Sequence, residues 1–268
     1  EKHDYDAKYF YCYCTKSSDF SFVREEVLKQ GVNLETSSAF DINIMESLHE
    51  QGLLKPDTYV ICNGFKRPQY VENIQNLMRT GFTNVIPILD NKFELDLLLK
   101  DFDLKFKVGI RIAAEEEPKF DFYTSRLGIR YNDIIPYYTK NIAQNTQVEL
   151  KMLHFFINKG VKDTAYYWNE LNKAVNLYWE HKKKCPELDS LNIGGGFPIQ
   201  THLDMSYDYE YIAEEIVAQI KTICGQHGVP EPHIFTEFGS YTVGESGAML
   251  YSIVNQKKQN DRELWNMI

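Results

Sequence analysis

Along the chain, short apolar runs alternate with longer stretches in which apolar residues recur every three or four positions. Tyr9–Cys14 is dense in aromatic side chains and reads as a buried strand. Phe20, Val23, Val27 and Leu28 then recur at helical spacing, with Asp19 placed as the N-cap and Gly31 as the stop. This β-α unit repeats. Further strands are expected at 32–35, 58–62, 84–89, 106–112, 148–157, 190–193 and 233–237, and helices at 39–51, 69–79 behind Pro68, 93–100, 133–142, 163–184 and 209–227. In the last two helices Trp168, Leu171, Val175 and Tyr178, and then Ile212, Ile216, Ile220 and Ile223, form single apolar stripes that a sheet would cover. Strict alternation implies parallel strands joined by crossovers. About eight units in roughly 250 residues is the size of a closed (β/α)8 TIM barrel of the α/β class, with an open doubly wound sheet as the alternative.

Composition agrees with one large domain: 268 residues, 43% of them hydrophobic, and a mean hydropathy of -0.42 exclude a disordered or collagen-like chain. The net charge is -9 and the basic residues are scattered, so no nucleic-acid-binding stripe is present; a cationic substrate suits this balance. No apolar run approaches the roughly 20 residues of a membrane span, and Glu1-Lys2-His3-Asp4 does not read as a signal peptide, so no membrane partner and a cytoplasmic location are expected. Cys12, Cys14, Cys62, Cys185 and Cys224 are an odd, dispersed set. The Cys-x-Cys at 12 and 14 lies on one face of a strand rather than in a zinc knuckle, so reduced core thiols and no metal site are expected. Both ends read as cut, since a strand starts within the first few residues and 250–254 begins another before the sequence stops.

In such a barrel the chemistry sits at the C-terminal ends of the strands. Strand 1 runs into Thr15-Lys16-Ser17-Ser18, strand 5 into Arg111, strand 7 into Gly194-Gly195-Gly196 and strand 8 into Glu237-Phe238-Gly239-Ser240. Each alone has an ordinary explanation: a tight turn for the glycines, a solvated lysine, a glutamate paired with an arginine. Together they form a set. Glycines let successive N–H groups face a phosphate, a lysine can form an imine, and a carboxylate can keep a ring nitrogen protonated. Those are the parts a protein supplies to use pyridoxal phosphate as an electron sink.

The segments Tyr13-Cys14-Thr15-Lys16, Ile61-Cys62-Asn63-Gly64-Phe65-Lys66, Ser125-Arg126-Leu127-Gly128-Ile129, Leu153-His154-Phe155, Leu191 through Pro198 and Thr236-Glu237-Phe238-Gly239 resemble, in order and spacing, the landmarks of fold-type III pyridoxal-phosphate decarboxylases. The resemblance is strongest to biosynthetic arginine decarboxylases, with ornithine and diaminopimelate decarboxylases more distant. It implies Lys16 as the Schiff-base lysine, Gly194, Gly195 and Gly196 as the phosphate loop with Gly239 beyond it, Glu237 as the pyridinium partner, and Glu35 and Arg111 as polar residues beneath the cofactor. It further implies decarboxylation of arginine to agmatine for polyamine synthesis, and a homodimer with shared active sites. The barrel would occupy 1–240, and 241–268 would begin a C-terminal β-domain, largely absent from the chain, that holds the proton donor and most of the specificity pocket.

The sequence departs from that pattern at three places. Phe156 stands where the family has a histidine stacked on the ring, Asn158-Lys159 replaces Gly-Ser, and Ser240 replaces an arginine on the phosphate. An aromatic ring can still stack. Lys159, with the Ser240 hydroxyl, is the candidate for the missing phosphate charge. His154 alternates onto the same face as Phe156, either as a satisfied core histidine or as a group near the site. A catalytically silent relative with a degenerate cofactor site is the reading from another class; ornithine, lysine or diaminopimelate as substrate is the alternative within the enzymes.

Overall fold

Eight parallel strands close into a barrel in the computed structural model, which describes residues 4–114, 125–158, 160–200, 204–247 and 249–268. The first half runs β1 (Tyr9–Cys14), α1 (Ser21–Lys29), β2 (Asn33–Thr36), α2 (Ala39–Glu50), β3 (Val60–Cys62), α3 (Pro68–Arg79), β4 (Val85–Leu89) and α4 (Glu94–Leu99). The second runs β5 (Phe106–Ala113), β6 (Ile129–Arg130), α5 (Tyr131–Asn141), β7 (Val148–His154), α6 (Ala165–Lys182), β8 (Ser190–Asn192), α7 (Tyr209–His227), β9 (His233–Thr236) and α8 (Gly239–Val243). The ring order is β4-β3-β2-β1-β9-β8-β7-β5, closed by pairing of β4 with β5; β6 is a two-residue addition on β5.

Two apolar clusters hold the barrel. One lies between strands and helices and takes Leu171, Val175 and Tyr178 of α6 and all four isoleucines of the α7 stripe. The other is enclosed by the strands: Cys12, Ile61, Ile86, Ile88, Met152 and Phe235, each at most 1% exposed. These are inward-pointing side chains in stacked layers, Ile86 and Ile88 standing two residues apart on β4, as parallel barrels require. Because side chains alternate along a strand, the inward position two residues further on each strand forms the next layer, at the C-terminal rim. There the residues change character to Cys14, Asn63, Asp90, His154 and Glu237. All five cysteines are buried and unpaired.

Four sequence expectations need correction. The strand expected over 148–157 ends at His154, where pairing stops on both sides: opposite Arg111 of β5, and opposite Asn192 of β8, whose carbonyl takes the Phe155 amide. Asp19 does not cap α1, whose N-cap is Phe20; the Asp19 carboxylate instead takes the Arg24 guanidinium at 2.6 Å. Trp168 is only partly buried, because its indole N–H turns to Asp163 at 2.7 Å. The tail strand begins at Asn255 rather than near Leu250. Asn260 accepts from the Arg262 and Glu263 amides, and this turn folds β10 (Asn255–Lys258) antiparallel onto β11 (Leu264–Met267), both exposed throughout. No helix among the described residues is long and apolar enough to cross a membrane.

Candidate active site

The rim layer converges on two buried carboxylates. Glu35, one residue before the end of β2, points inward and Glu237 follows β9; they are 0% and 8% exposed. The Asn63 amide, just after β3, lies between them and donates at 3.0 Å to Glu35 Oε1 and at 3.0 Å to both oxygens of Glu237. Asn192 Nδ2, at the end of β8, adds a 2.6 Å bond to Glu237 Oε1, and its Oδ1 accepts from the Gly194 amide at 2.8 Å. The Lys16 amine donates to Glu35 Oε2 at 2.7 Å. Residues from five strand ends therefore make one continuous hydrogen-bonded chain, from Lys16 through Glu35, Asn63, Glu237 and Asn192 to the glycine run. Cys14 sits beneath it, its thiol donating to the Glu237 carbonyl at 3.3 Å.

Electrostatics follow from this crowding. Burial, and next the Glu237 charge, raise the Glu35 pKa against the opposing pull of Lys16. For Lys16, desolvation is the largest influence and favours the neutral amine, but the Glu35 carboxylate, Cys14 and Glu237 together outweigh it and the net pKa is raised. The Lys16 side chain is 56% exposed, so the amine sits at the mouth while its partner lies inside. His154 is 1% exposed, and neither ring nitrogen has a partner among the described residues; its Nε2 lies 3.9 Å from Glu237 Oε2. Burial, reinforced by the Arg111 charge, drives its pKa well below the usual value, so the imidazole is neutral. It is not a satisfied core histidine. The Arg111 guanidinium carbon lies 5.8 Å from the centroid of the half-buried Phe156 ring.

The glycine run has tight neighbours. Gly194 has a φ of +68°, and a Cβ there would come within 2.8 Å of the Phe155 carbonyl and 3.1 Å of the Phe156 ring; at Gly196, with a φ of +111°, it would meet Gly160 Cα at 2.6 Å. Among the described residues no protein acceptor takes the Gly195 or Gly196 amide. Gly239 packs on β1, where a Cβ would stand 2.8 Å from that of Cys14, and Ser240 is exposed at the start of α8. Lys159 lies outside the described residues.

Several participants were not singled out by sequence: Asn63, Asn192 and Cys14. Asn192 carried a usable signal, a lone amide at an inward position of the otherwise apolar run Leu191-Asn192-Ile193. Lys66 is another. It is 0% exposed, and its amine donates to the Gly64 carbonyl at 2.7 Å and to the Ile88 carbonyl, with Glu94 at 3.5 Å. Glu94 also accepts from the Lys66 and Asp90 amides, so this buried pair ties the loops after β3 and β4 together.

The barrel rim thus joins an amine, two caged carboxylates and glycine amides, the groups that an imine-forming cofactor uses. Residues 2–244 match the family described as pyridoxal-dependent decarboxylase, pyridoxal binding domain, and the chain belongs to that family. Arginine decarboxylase 2 of Arabidopsis thaliana is 26% identical over 95% of this chain and 38% of its own length; the biosynthetic arginine decarboxylase of Geobacter sp. (strain M21) is 25% identical over 96% and 43%. The chain thus spans about two fifths of those relatives. Among solved structures, diaminopimelate decarboxylase from M. jannaschii, in complex with L-lysine, superposes with a TM-score of 0.78 at 17% identity, over 99% of this chain and 61% of that one. The biosynthetic arginine decarboxylase of Campylobacter jejuni does so at 0.72 and 20%, over 90% and 40%.

Proposed function

We propose that this chain is the cofactor-binding barrel of an α-decarboxylase that converts arginine to agmatine in polyamine synthesis. The carrying observation is the hydrogen-bonded chain from Lys16 to Asn192 beside the glycine run. Pyridoxal phosphate, when bound, supplies an electron sink for the pair left behind by carbon dioxide. Lys16 would hold the cofactor covalently through its amine. Glu237, fixed by two amides, would accept the ring N–H and favour the charged ring. Phe156, steadied by Arg111, would offer a flat stacking face, with Glu35 and His154 completing the floor.

The free amides of Gly195 and Gly196 and the Ser240 hydroxyl would take phosphate oxygens, as Gly239 lets α8 approach closely. Lys159, adjacent in sequence to the Gly160 that packs on Gly196, would add the charge. Lys159→Ala is then expected to weaken cofactor affinity at least about tenfold, the worth of one charge-assisted bond, measured by fluorescence titration. Unchanged affinity would remove Lys159 from the site.

Arginine as substrate is supported by the names of the relatives and by a net charge of -9, which suits a cationic ligand. The active unit would be a cytoplasmic homodimer. Full-length protein should be yellow, should carry cofactor fixed to Lys16 after borohydride, and should release carbon dioxide from arginine faster than from ornithine, lysine or diaminopimelate. A colourless protein that rejects added cofactor would favour a catalytically silent homologue.

The pH dependence of cofactor uptake tests the role of Glu35. Only the neutral amine attacks the aldehyde, and Glu35 raises the Lys16 pKa while desolvation lowers it. Glu35→Gln removes the opposing charge and leaves the desolvation. Imine formation in the variant should therefore begin at lower pH than in the parent; an unshifted profile would mean that Glu35 does not govern the amine.

A further inference from the structure

The rim holds more donors than an organic cofactor uses. Ligand atoms of Cys14, Glu35 and Glu237 all lie within 4.8 Å of one another, and all three residues are buried. Two independent observations point into the same space. His154 is fully enclosed with both ring nitrogens unpartnered among the described residues, and its Nε2 faces Glu237 at 3.9 Å. Asn63 Oδ1 is buried and likewise without a partner, while the amide nitrogen of the same side chain occupies the place between the carboxylates that a cation would take.

We propose that Cys14, Glu35, Glu237 and His154 form a divalent transition-metal site of the zinc type, and that the metal and pyridoxal phosphate compete for Glu237. Thiolate, imidazole and carboxylate are the donors zinc takes in fourfold sites, at about 2.0 to 2.3 Å. Donor atoms on one such ion stand under about 4 Å apart; the three clustered residues, within 4.8 Å of one another, must close slightly, and His154, already 3.9 Å from Glu237 but outside that group, must close on the rest of it. A half-turn of the Asn63 amide would carry its NH2 out of the way and bring Oδ1 towards the ion. On binding, the Cys14 sulfur forms a bond to the metal and its S–H breaks, the proton passing to solvent. The site then holds a thiolate and two carboxylates against a dication, and the nearby Lys16 ammonium balances the remaining charge. Cys14 is what distinguishes this arrangement from a cofactor pocket, since a thiol beneath the ring adds nothing to holding a pyridine nitrogen. The metal site stands on its own donors; only the competition rests on the pyridoxal reading.

The test uses the full chain freed of cofactor and titrated with cobalt(II), whose bond to a thiolate gives a charge-transfer band in the near ultraviolet. One ion per chain should bind with that band, and zinc should displace it. Cys14→Ser should abolish the band and Glu35→Gln should weaken cobalt affinity at least about tenfold, with far-ultraviolet circular dichroism showing both variants folded. Cys185→Ser, at a thiol elsewhere in the core, should leave the band intact. Zinc at saturation should slow uptake of pyridoxal phosphate by the parent but not by Cys14→Ser. Absence of the band, or its survival in Cys14→Ser, would overturn the site. Uptake indifferent to zinc would overturn the competition. Cobalt bound through Cys14 in a chain that never takes pyridoxal phosphate would leave the metal site standing and sink the cofactor reading; cofactor bound as an imine in a chain that rejects cobalt would do the reverse.

Discussion

Lys16→Arg is expected to leave the fold intact and reduce borohydride-fixed cofactor to background. The guanidinium remains charged at any working pH and cannot form the imine, yet it can still meet the Glu35 carboxylate that the Lys16 amine now holds at 2.7 Å. The substitution therefore separates the covalent role of the residue from its electrostatic one. Lys16→Ala removes both. Glu35, 0% exposed, would then keep only the Asn63 amide, and its pKa, already raised by burial, would rise further. Mass spectrometry after borohydride should show the cofactor's added mass on the parent alone, with the label in the peptide containing Lys16. Residual non-covalent binding through the glycine amides is expected in both variants, visible as free-aldehyde absorbance. A cofactor-derived mass on another lysine of the parent would remove Lys16 from its place; the buried Lys66, whose pKa burial lowers, is the amine to examine first.

How far such a site can be read without coordinates depends on which interactions are local. Strand and helix alternation was legible because a parallel strand covered on both faces shows as an unbroken apolar run, while each helix shows a single stripe. Lys16, Gly194 through Gly196 and Glu237 could be placed on one rim because each stands at its own strand end, although each alone has an ordinary explanation and only the combination points to a site. Asn63 was not. Its function exists only where β2, β3 and β9 bring Glu35 and Glu237 to either side of it, and Glu237 is 174 positions away in sequence. Asparagine after a short apolar strand is otherwise ordinary turn chemistry. His154 shows the same limit from the other side: alternation placed it inward, but only packing reveals that none of the described residues satisfies its ring. The end of β7 was misjudged because Phe155 and Ile157 extend the apolar run past the point at which β8 stops offering partners.

Asn63 is accordingly where the largest stability effect is expected. Its single NH2 group neutralises contact between two buried carboxylates, donating at 3.0 Å to each. Asn63→Leu preserves approximate volume and removes all three bonds, leaving two carboxylates facing each other in a low-dielectric interior. Loss of such a bridge should destabilise the fold by about 3 kcal/mol near neutral pH, seen as a lower urea midpoint with an unchanged slope. The sign of its pH dependence is distinctive. Glu35 has a folded-state pKa above its unfolded value, so its protonation favours the folded chain: that contribution is fully present below the unfolded pKa and is lost as pH rises through the folded one. Removing Asn63 deletes an interaction that lowers the Glu35 pKa, which moves the folded value higher still and widens the window. The variant's deficit relative to the parent should thus shrink as the pH falls from about 8 towards about 5, as one carboxyl takes a proton and donates to the other. A deficit that stays constant across that range would mean that Asn63 acts through packing alone.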